Sequence, residues 1–400
     1  MTDAYIYDVG RTAFGRHGGV LSGLRPDDVM AHLIRTIVER NPFDKKIYED
    51  VIIGNTNQAG EDCRNVARFS GLLAGLPIET SGITVNRLCG SSLAAVLDAV
   101  RCVKCDEGDL FIAGGVESMS RAPLIVSKAL TAFSRNQTIA DSTMGARFTN
   151  PKIEAQFGAD SMPQTADNIA SDLGITREDT DLFALASQTK YEAARKDGYF
   201  KDEIIPIEVP QGRKKPPILL DADEHPRPGT TIEDLRKLKS LFPGGVVTAG
   251  NASGINDGAS VLIIGNKKAG EKAGIKPRAR ILAGAAAGVP PRVMGLGPVP
   301  SSQKALARAG LALKDMDVIE LNEAFATQAL GCMKQLGLAT DDPRINPNGG
   351  AVAVGHPLGA SGGRIVMTAL RQLERTSGRY ALATMCIGIG QGVAAVIERL

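Results

Sequence analysis

The stretch Gly90-Ser-Ser-Leu-Ala-Ala-Val-Leu-Asp-Ala-Val-Arg-Cys-Val-Lys-Cys-Asp-Glu-Gly-Asp-Leu-Phe-Ile-Ala113 holds one helix and one strand in sequence. Apolar residues at helical spacing predict a helix over 91–105. A polar turn follows, and the short apolar run 110–113 predicts a buried strand. The same alternation continues outward in both directions. Val51-Ile-Ile, Val261-Leu-Ile-Ile, Val318-Ile-Glu-Leu, Tyr380-Ala-Leu-Ala-Thr-Met and Val393-Ala-Ala-Val-Ile read as further strands. Residues 165–172, 177–197, 302–309, 324–336 and 362–374 read as helices. Strands interleaved with helices predict an α/β fold whose sheet faces are covered.

The quoted stretch also has an echo. Asp50-Val-Ile aligns with Asp317-Val-Ile, Gly90-Ser-Ser with Gly359-Ala-Ser, and the strand at 110–113 with 381–384. The offsets are 267, 269 and 271, in the same order. Such self-similarity predicts a duplicated domain. The proline-rich stretch 121–249 between the copies, with basic clusters at Arg213-Lys-Lys and Arg236-Lys-Leu-Lys, reads as a long insertion. Insertions of this kind are often covers over sites; the plainer alternative is a solvated surface excursion.

Composition narrows the function classes. Of 400 residues, 43% are hydrophobic and 22% charged, and the net charge is +2. That is globular composition, long enough for two or three domains. The balanced charge argues against nucleic acid or a membrane surface as partner. The longest informative uncharged stretch, 380–397, contains Gln391 and three glycines, so it predicts two strands around a loop, not a membrane helix. The start has no basic segment followed by an apolar one, and the end, Ile-Glu-Arg-Leu, is not a peroxisomal signal. With six Cys, the expectation is reduced thiols in the cytoplasm. Glycine, at 45 residues, is in excess over the usual level of roughly 7% and predicts tight turns and close backbone approaches.

Four positions could carry chemistry. Cys89, in Asn86-Arg-Leu-Cys-Gly-Ser, sits where a strand runs into a helix, and a helix N-terminus favours thiolate. An inert buried cysteine is the competing reading. His356 lies between Gly355 and Pro357 in a glycine-dense loop that could hold an imidazole against a thiol. Cys386 precedes Ile-Gly-Ile-Gly-Gln-Gly, whose exposed N–H groups could receive an oxyanion. A dinucleotide loop is rejected there, because only eight residues follow Gly392. Asn322, in Leu-Asn-Glu-Ala-Phe, could be a helix N-cap or an amide donor. Cys102-Val-Lys-Cys105 lacks a second ligand pair, so no metal is expected.

Together these motifs resemble the thiolase family. Gly114-Gly-Val-Glu-Ser-Met-Ser, Gly250-Asn-Ala-Ser-Gly-Ile-Asn-Asp-Gly-Ala, Asn322-Glu-Ala-Phe, Gly349-Gly-Ala-Val-Ala-Val-Gly-His-Pro-Leu-Gly-Ala-Ser-Gly and Cys386-Ile-Gly-Ile-Gly-Gln-Gly follow the Cys89 motif in family order, across essentially the whole chain. The resemblance implies two similar α/β halves, each a five-stranded mixed sheet layered with helices as αβαβα. It implies residues 1–120 with 250–273 as one half, 121–249 as a loop domain for coenzyme A (CoA) binding and oligomer contacts, and 274–400 as the other half. It implies a homodimer or homotetramer, acyl-CoA and CoA as substrates, and no permanently bound cofactor.

The resemblance also implies roles. Cys89 is the acylated nucleophile, His356 its base and an oxyanion donor, and Cys386 the acid/base at the substrate α-carbon. Asn322 orients a water in the first oxyanion hole, and the N–H groups of Cys89 and Gly388 form the second. Ser253 contacts the pantetheine arm, Arg227 lies near the CoA nucleotide, and Met162, Met294 and Phe325 line the tunnel. Leu24-Arg-Pro-Asp-Asp, Gln58-Ala-Gly-Glu-Asp-Cys-Arg-Asn-Val-Ala-Arg, Gly145-Ala-Arg-Phe-Thr-Asn-Pro and Met294-Gly-Leu-Gly-Pro-Val-Pro closely resemble 3-oxoadipyl-CoA thiolases. Ser161 stands where short-chain biosynthetic thiolases usually have His, and Gln391 where Met is common. Ser92 replaces a Gly found in many thiolases. A dicarboxylic acyl chain needs a cation for its distal carboxylate; Arg147 is the first candidate and Arg135 the second. The alternatives are a general acetyl-CoA acetyltransferase or 3-ketoacyl-CoA thiolase, a ketosynthase, which would lack the Cys386 motif, and a non-catalytic CoA- or lipid-binding relative.

Overall fold

The computed structural model describes residues 2–212 and 215–400, so Arg213 and Lys214 of the first basic cluster lie outside the described residues. The strands of the main sheet are β1 (Tyr5–Arg11), β2 (Tyr48–Gly54), β3 (Ser81–Val85), β4 (Leu110–Ser118), β5 (Asn256–Gly265), β6 (Ala279–Gly288), β7 (Val318–Leu321), β8 (Tyr380–Ile387) and β9 (Gln391–Arg399). They form one sheet in the order β7-β8-β9-β6-β1-β5-β4-β2-β3, with Gly15–Arg16 paired on β5 as a tenth strand. The order repeats. In the first half β3, β2 and β4 run parallel and β5 and β1 antiparallel. In the second, β7 and β8 run parallel and β9 and β6 antiparallel. The halves join where β1 meets β6, through Tyr5 opposite Arg280 and Ile6 opposite Ala279.

The second half departs from a five-stranded sheet. The place of β3 is taken by a single parallel bridge between Ile319 and Ile345. Asn346 has φ +42°, outside strand geometry, and Pro343 and Pro347 flank the bridge. Prolines cannot donate to a ladder, so pairing stops after one residue.

There are eight longer helices, α1 (Pro26–Glu39), α2 (Val66–Leu73), α3 (Ser91–Lys104), α4 (Met162–Leu173), α5 (Arg177–Lys196), α6 (Pro298–Ala309), α7 (Ala326–Leu336) and α8 (Ser361–Thr376), of which α4 and α5 pack on α7 and the others cover the sheet. Strand side chains alternate between faces. Val51 and Ile53 pack toward α1 and α2, whereas Ile52 packs toward α3. Leu382 packs toward α6 and α7, whereas Ala381 and Ala383 pack toward α8. Helices α3 and α8 therefore form a central layer between the two halves. On α8, Ile365, Met367, Leu370 and Leu373 are fully buried. Truncating one such side chain to Ala costs about 2–5 kcal/mol.

The pair α3 and α8 positions the site. Their first turns meet: Gly363 N donates to Ser92 Oγ at 2.9 Å. A Cβ on Gly362 would lie 2.4 Å from the Leu93 nitrogen, so only glycine permits this approach. Cys89 and His356 lie just before these two turns. Expected and observed helices differ at site residues: Met162 opens α4 ahead of the expected 165, and Phe325, expected inside the helix 324–336, precedes it. The helix after β7 begins at Ala326 with Phe325 as cap, so Asn322 is not an N-cap. Phe325 is extended because it bridges Ala252, and this frees Asn322 from the helix.

Candidate active site

Cys89 ends a tight turn after β3. Leu88 holds φ +47°, rare for a branched residue. The Ser91 hydroxyl donates to Leu88 O at 2.6 Å and accepts from Arg87 N at 2.9 Å, and Asn86 Oδ1 accepts from Leu88 N at 2.9 Å. These bonds hold the strained turn that presents the thiol. The N–H of Gly388 and that of Cys89 itself face the sulfur. Cys89 is partly accessible at the residue level, but its sulfur is packed about, and burial pushes the thiol up to about 11, against those two donors. The helix-end argument for a resident thiolate therefore fails: the resting group is the thiol.

His356 is buried. Its N–H donates to Asn256 Oδ1 at 2.9 Å, and Gly355 before it has φ +100° and packs on that same amide. Its Nδ1 lies 2.6 Å from Ser361 Oγ, and Ser361 Oγ lies 2.9 Å from Pro357 O. A hydroxyl has one proton. With that proton given to Pro357 O, Ser361 accepts from Nδ1–H, and Nε2 carries the free lone pair. Nε2 is buried and has no partner among the described residues. Burial first, and the Arg364 charge second, push the imidazole down to about 3, so it is neutral at ordinary pH.

Cys386 is fully buried near the end of β8, and Cys89 lies close enough to raise it further. Burial is the larger cause, and the group holds its proton well beyond the usual thiol range. It packs with Met294, Phe325 and, at the edge, Met162. A Cβ on Gly388 would lie 3.6 Å from Met162 Sδ, which places this methionine against the Gly388 loop. Asn322 N donates to Thr384 O at 3.0 Å, fixing it beside the end of β8. Its Oδ1 accepts from Arg364 Nη2 at 3.4 Å, while Nδ2 is buried and unpartnered among the described residues. Burial pushes the Glu320 carboxyl up, against the pull of Arg364.

The other expected residues fall at different distances from this centre. Ser253 N donates to Ala324 O at 3.0 Å, so its loop is stitched to the Phe325 segment. Arg227 is exposed; its N–H donates to Gln188 Oε1 at 3.0 Å, and burial, followed by the Arg227 charge, pushes His225 down to about 4. The His225 ring packs over Gly254, next to Ser253. Arg147 is half-buried. Its Nη2 donates to Ser142 O at 2.8 Å, and its Nε is buried without a partner among the described residues. Arg135 is exposed.

Sequence reasoning missed several supports. Glu117 accepts from Thr56 N at 3.0 Å, Asn57 N at 3.2 Å and Gly359 N at 2.9 Å, tying β4 to the histidine loop. Burial pushes it up to about 7. Asn256, Ser361, Arg364 and Glu320 were also missed. Each lies within or beside a motif, but polar side chains that act on one another across the fold leave no local signal. Among the described residues, no group of three or more His, Cys, Asp or Glu is set to hold a metal ion.

The two thiols lie close together, while His356 and Asn322 are tied through Ser361 and Arg364 to the first turn of α8, which meets that of α3 just after Cys89. The family described as "Thiolase, N-terminal domain" matches residues 4–268, and "Thiolase, C-terminal domain" matches 275–399. The chain is 56% identical to "Beta-ketoadipyl-CoA thiolase" of Acinetobacter baylyi, over 100% of both chains. It is 55% identical to "3-oxoadipyl-CoA/3-oxo-5,6-dehydrosuberyl-CoA thiolase" of Escherichia coli K12, again over 100% of both. Among solved structures, human mitochondrial 3-ketoacyl-CoA thiolase superposes with TM-score 0.93 at 39% identity, over 100% of this chain and 99% of that one. The chain belongs to the thiolase family.

Proposed function

We propose that this protein cleaves 3-oxoadipyl-CoA with CoA to give succinyl-CoA and acetyl-CoA. The chemistry is supported by the closeness of Cys89 to Cys386, by the contact between the first turns of α3 and α8 that follow Cys89 and His356, and by the bond that sets Asn322 beside the end of β8. The acyl chain is supported by full-length relatives at 55–56% identity that are named for this substrate.

Each residue has a step. His356 Nε2 takes the Cys89 proton as sulfur attacks the keto carbon. The resting pair is neutral, and the proton transfer is uphill, so it is coupled to the attack. The alkoxide is met by His356, now a donor, and by a water held by Asn322 Nδ2. The bond between the keto carbon and the α-carbon breaks. The departing acetyl-CoA enolate lies against the Cys89 and Gly388 N–H groups and takes a proton from Cys386, which is kept protonated by burial. CoA then loses its thiol proton to Cys386 and attacks the succinyl-Cys89 thioester. The Cys89 sulfur leaves and recovers its proton from His356. The scheme is ping-pong.

Ser253, Arg227 and the tunnel residues Met162, Met294 and Phe325 receive the CoA arm in this reading, and Arg147 meets the distal carboxylate. Residues 1–120 with 250–273, 121–249 and 274–400 are the first half, the loop domain and the second half. The break between the two family matches, after residue 268, supports the last boundary. A homodimer or homotetramer is supported by exposed apolar side chains on the loop domain: Leu124, Val126, Leu130, Phe133 and Ile139. A cytoplasmic location suits six unpaired cysteines. Thiolysis followed at the enolate absorbance tests the substrate. 3-Oxoadipyl-CoA is expected to exceed acetoacetyl-CoA and a C8 substrate in kcat/KM; a preference for either of the others overturns it.

A further inference from the structure

Between β7 and α8 lies a fully buried ion pair that the reaction scheme leaves unused. Arg364 Nη1 meets Glu320 Oε2 at 2.8 Å, and the two side chains are 3% and 0% exposed. A buried ion pair is a weak source of stability, because desolvation offsets its attraction. Its geometry points elsewhere. Arg364 has a second nitrogen, Nη2, turned to the Asn322 side chain at 3.4 Å. A guanidinium only donates. The Asn322 atom facing it is therefore the oxygen, and the amide nitrogen is turned the other way. That nitrogen is buried and unpartnered among the described residues. Glu320 and Asn322 are two residues apart at the end of β7, so strand alternation sends both side chains toward α8.

We propose that Arg364, anchored by Glu320, is a positioning residue that locks the Asn322 amide with its N–H groups toward the reacting carbonyl. The proposal rests on the thiolase reading and adds to it the device that sets the donor. Without Arg364 the amide can flip, presenting an oxygen to a developing negative charge. Ser361, which holds His356, lies three residues before Arg364 on the same helical face. The first turn of α8 thus sets both groups that meet the alkoxide.

A double-mutant cycle tests this. Arg364→Lys keeps the charge opposite Glu320 but loses the fork that reaches two acceptors. With acetoacetyl-CoA and CoA, Asn322→Ala is expected to lower kcat by at least about tenfold. Arg364→Lys should lower kcat by about tenfold with KM within about twofold, and the double variant should be no slower than Asn322→Ala. Multiplying losses, or a loss confined to KM, overturn the proposal, since a merely structural role predicts them. An unchanged kcat in Asn322→Ala overturns both the proposal and the assigned role of Asn322. Absence of thiolysis in the unaltered protein would instead overturn the functional reading. If Arg364→Lys does not fold, Glu320→Gln replaces it in the same cycle with the same expected outcomes.

Discussion

Ser92 Oγ accepts the Gly363 N–H at 2.9 Å, from the first turn of one central helix to the first turn of the other. Neither helix has a side-chain cap of its own. The first-turn N–H groups of a helix have no partner within it, so Ser92 acts as a cap supplied across the interface. This answers what a serine does where many thiolases have glycine. Ser92→Ala removes the acceptor and leaves the Gly363 N–H buried. We expect a loss of about 1–2 kcal/mol in urea unfolding. Unchanged unfolding would show that the bond contributes nothing.

The Ser361 hydroxyl fixes the proton on His356 Nδ1. Ser361→Ala removes that constraint, so the free lone pair is no longer confined to Nε2. One hydrogen bond of about 1.4 kcal/mol corresponds to about tenfold in rate. Single-turnover acylation of Cys89 should slow by about that factor, while Ser361→Thr, which keeps the hydroxyl, should recover most of it. Equal losses in the two variants would refute the tautomer argument and point to packing.

Acid should unfold this protein through its buried histidines. Folding lowers His356 from its ordinary value of 6.5 to about 3. Between those values the unfolded chain binds a proton that the folded chain does not. The stabilising contribution is therefore complete above pH 6.5 and is lost as pH falls toward 3, at up to about 1.4 kcal/mol per pH unit. His225, lowered to about 4, adds a loss of the same sign. Unfolding free energies measured from pH 6.5 to 5 should fall more steeply in the wild type than in His356→Asn. Parallel slopes would mean that His356 titrates normally in the folded protein.

The contrast between strands β4 and β6 shows what the sequence could reveal. β4 is a run of large apolar residues at its start, and its burial is plain from Leu110-Phe-Ile. β6 reads Ala-Arg-Ile-Leu-Ala-Gly-Ala-Ala-Ala-Gly, with little strand propensity, and no pattern marked it. Packing explains it: a Cβ on Gly284 would lie 2.3 Å from Leu97 Cδ2, so small residues let α3 sit close. In the site, Cys89, His356 and Cys386 were legible because glycine-dense motifs flank them. Glu320 and Arg364 were not, being 44 residues apart and meaningful only as a pair. The dipole argument for Cys89 failed because it was local. Burial there comes from the fold around the turn, and it outweighs two N–H donors.

Arg147 is the sharpest test of substrate choice. Its Nη2 is held by Ser142 O, Ser142 Oγ accepts from Asn57 Nδ2 at 2.9 Å, and Asn57 N donates to Glu117, which in turn binds the histidine loop. These bonds link the guanidinium through Ser142, Asn57 and Glu117 to the histidine loop, and its Nε is buried and unpartnered among the described residues. A carboxylate pairing with a guanidinium in a desolvated site contributes about 1.5–3 kcal/mol, or about ten- to a hundredfold. Arg147→Ala should therefore lose that factor in kcat/KM for 3-oxoadipyl-CoA, while acetoacetyl-CoA, which has no distal charge, stays within about threefold. Arg147→Lys should recover only part, because an ammonium lacks the fork. Equal losses on both substrates would assign Arg147 to CoA or to the fold, and Arg135 would then be the residue to change next.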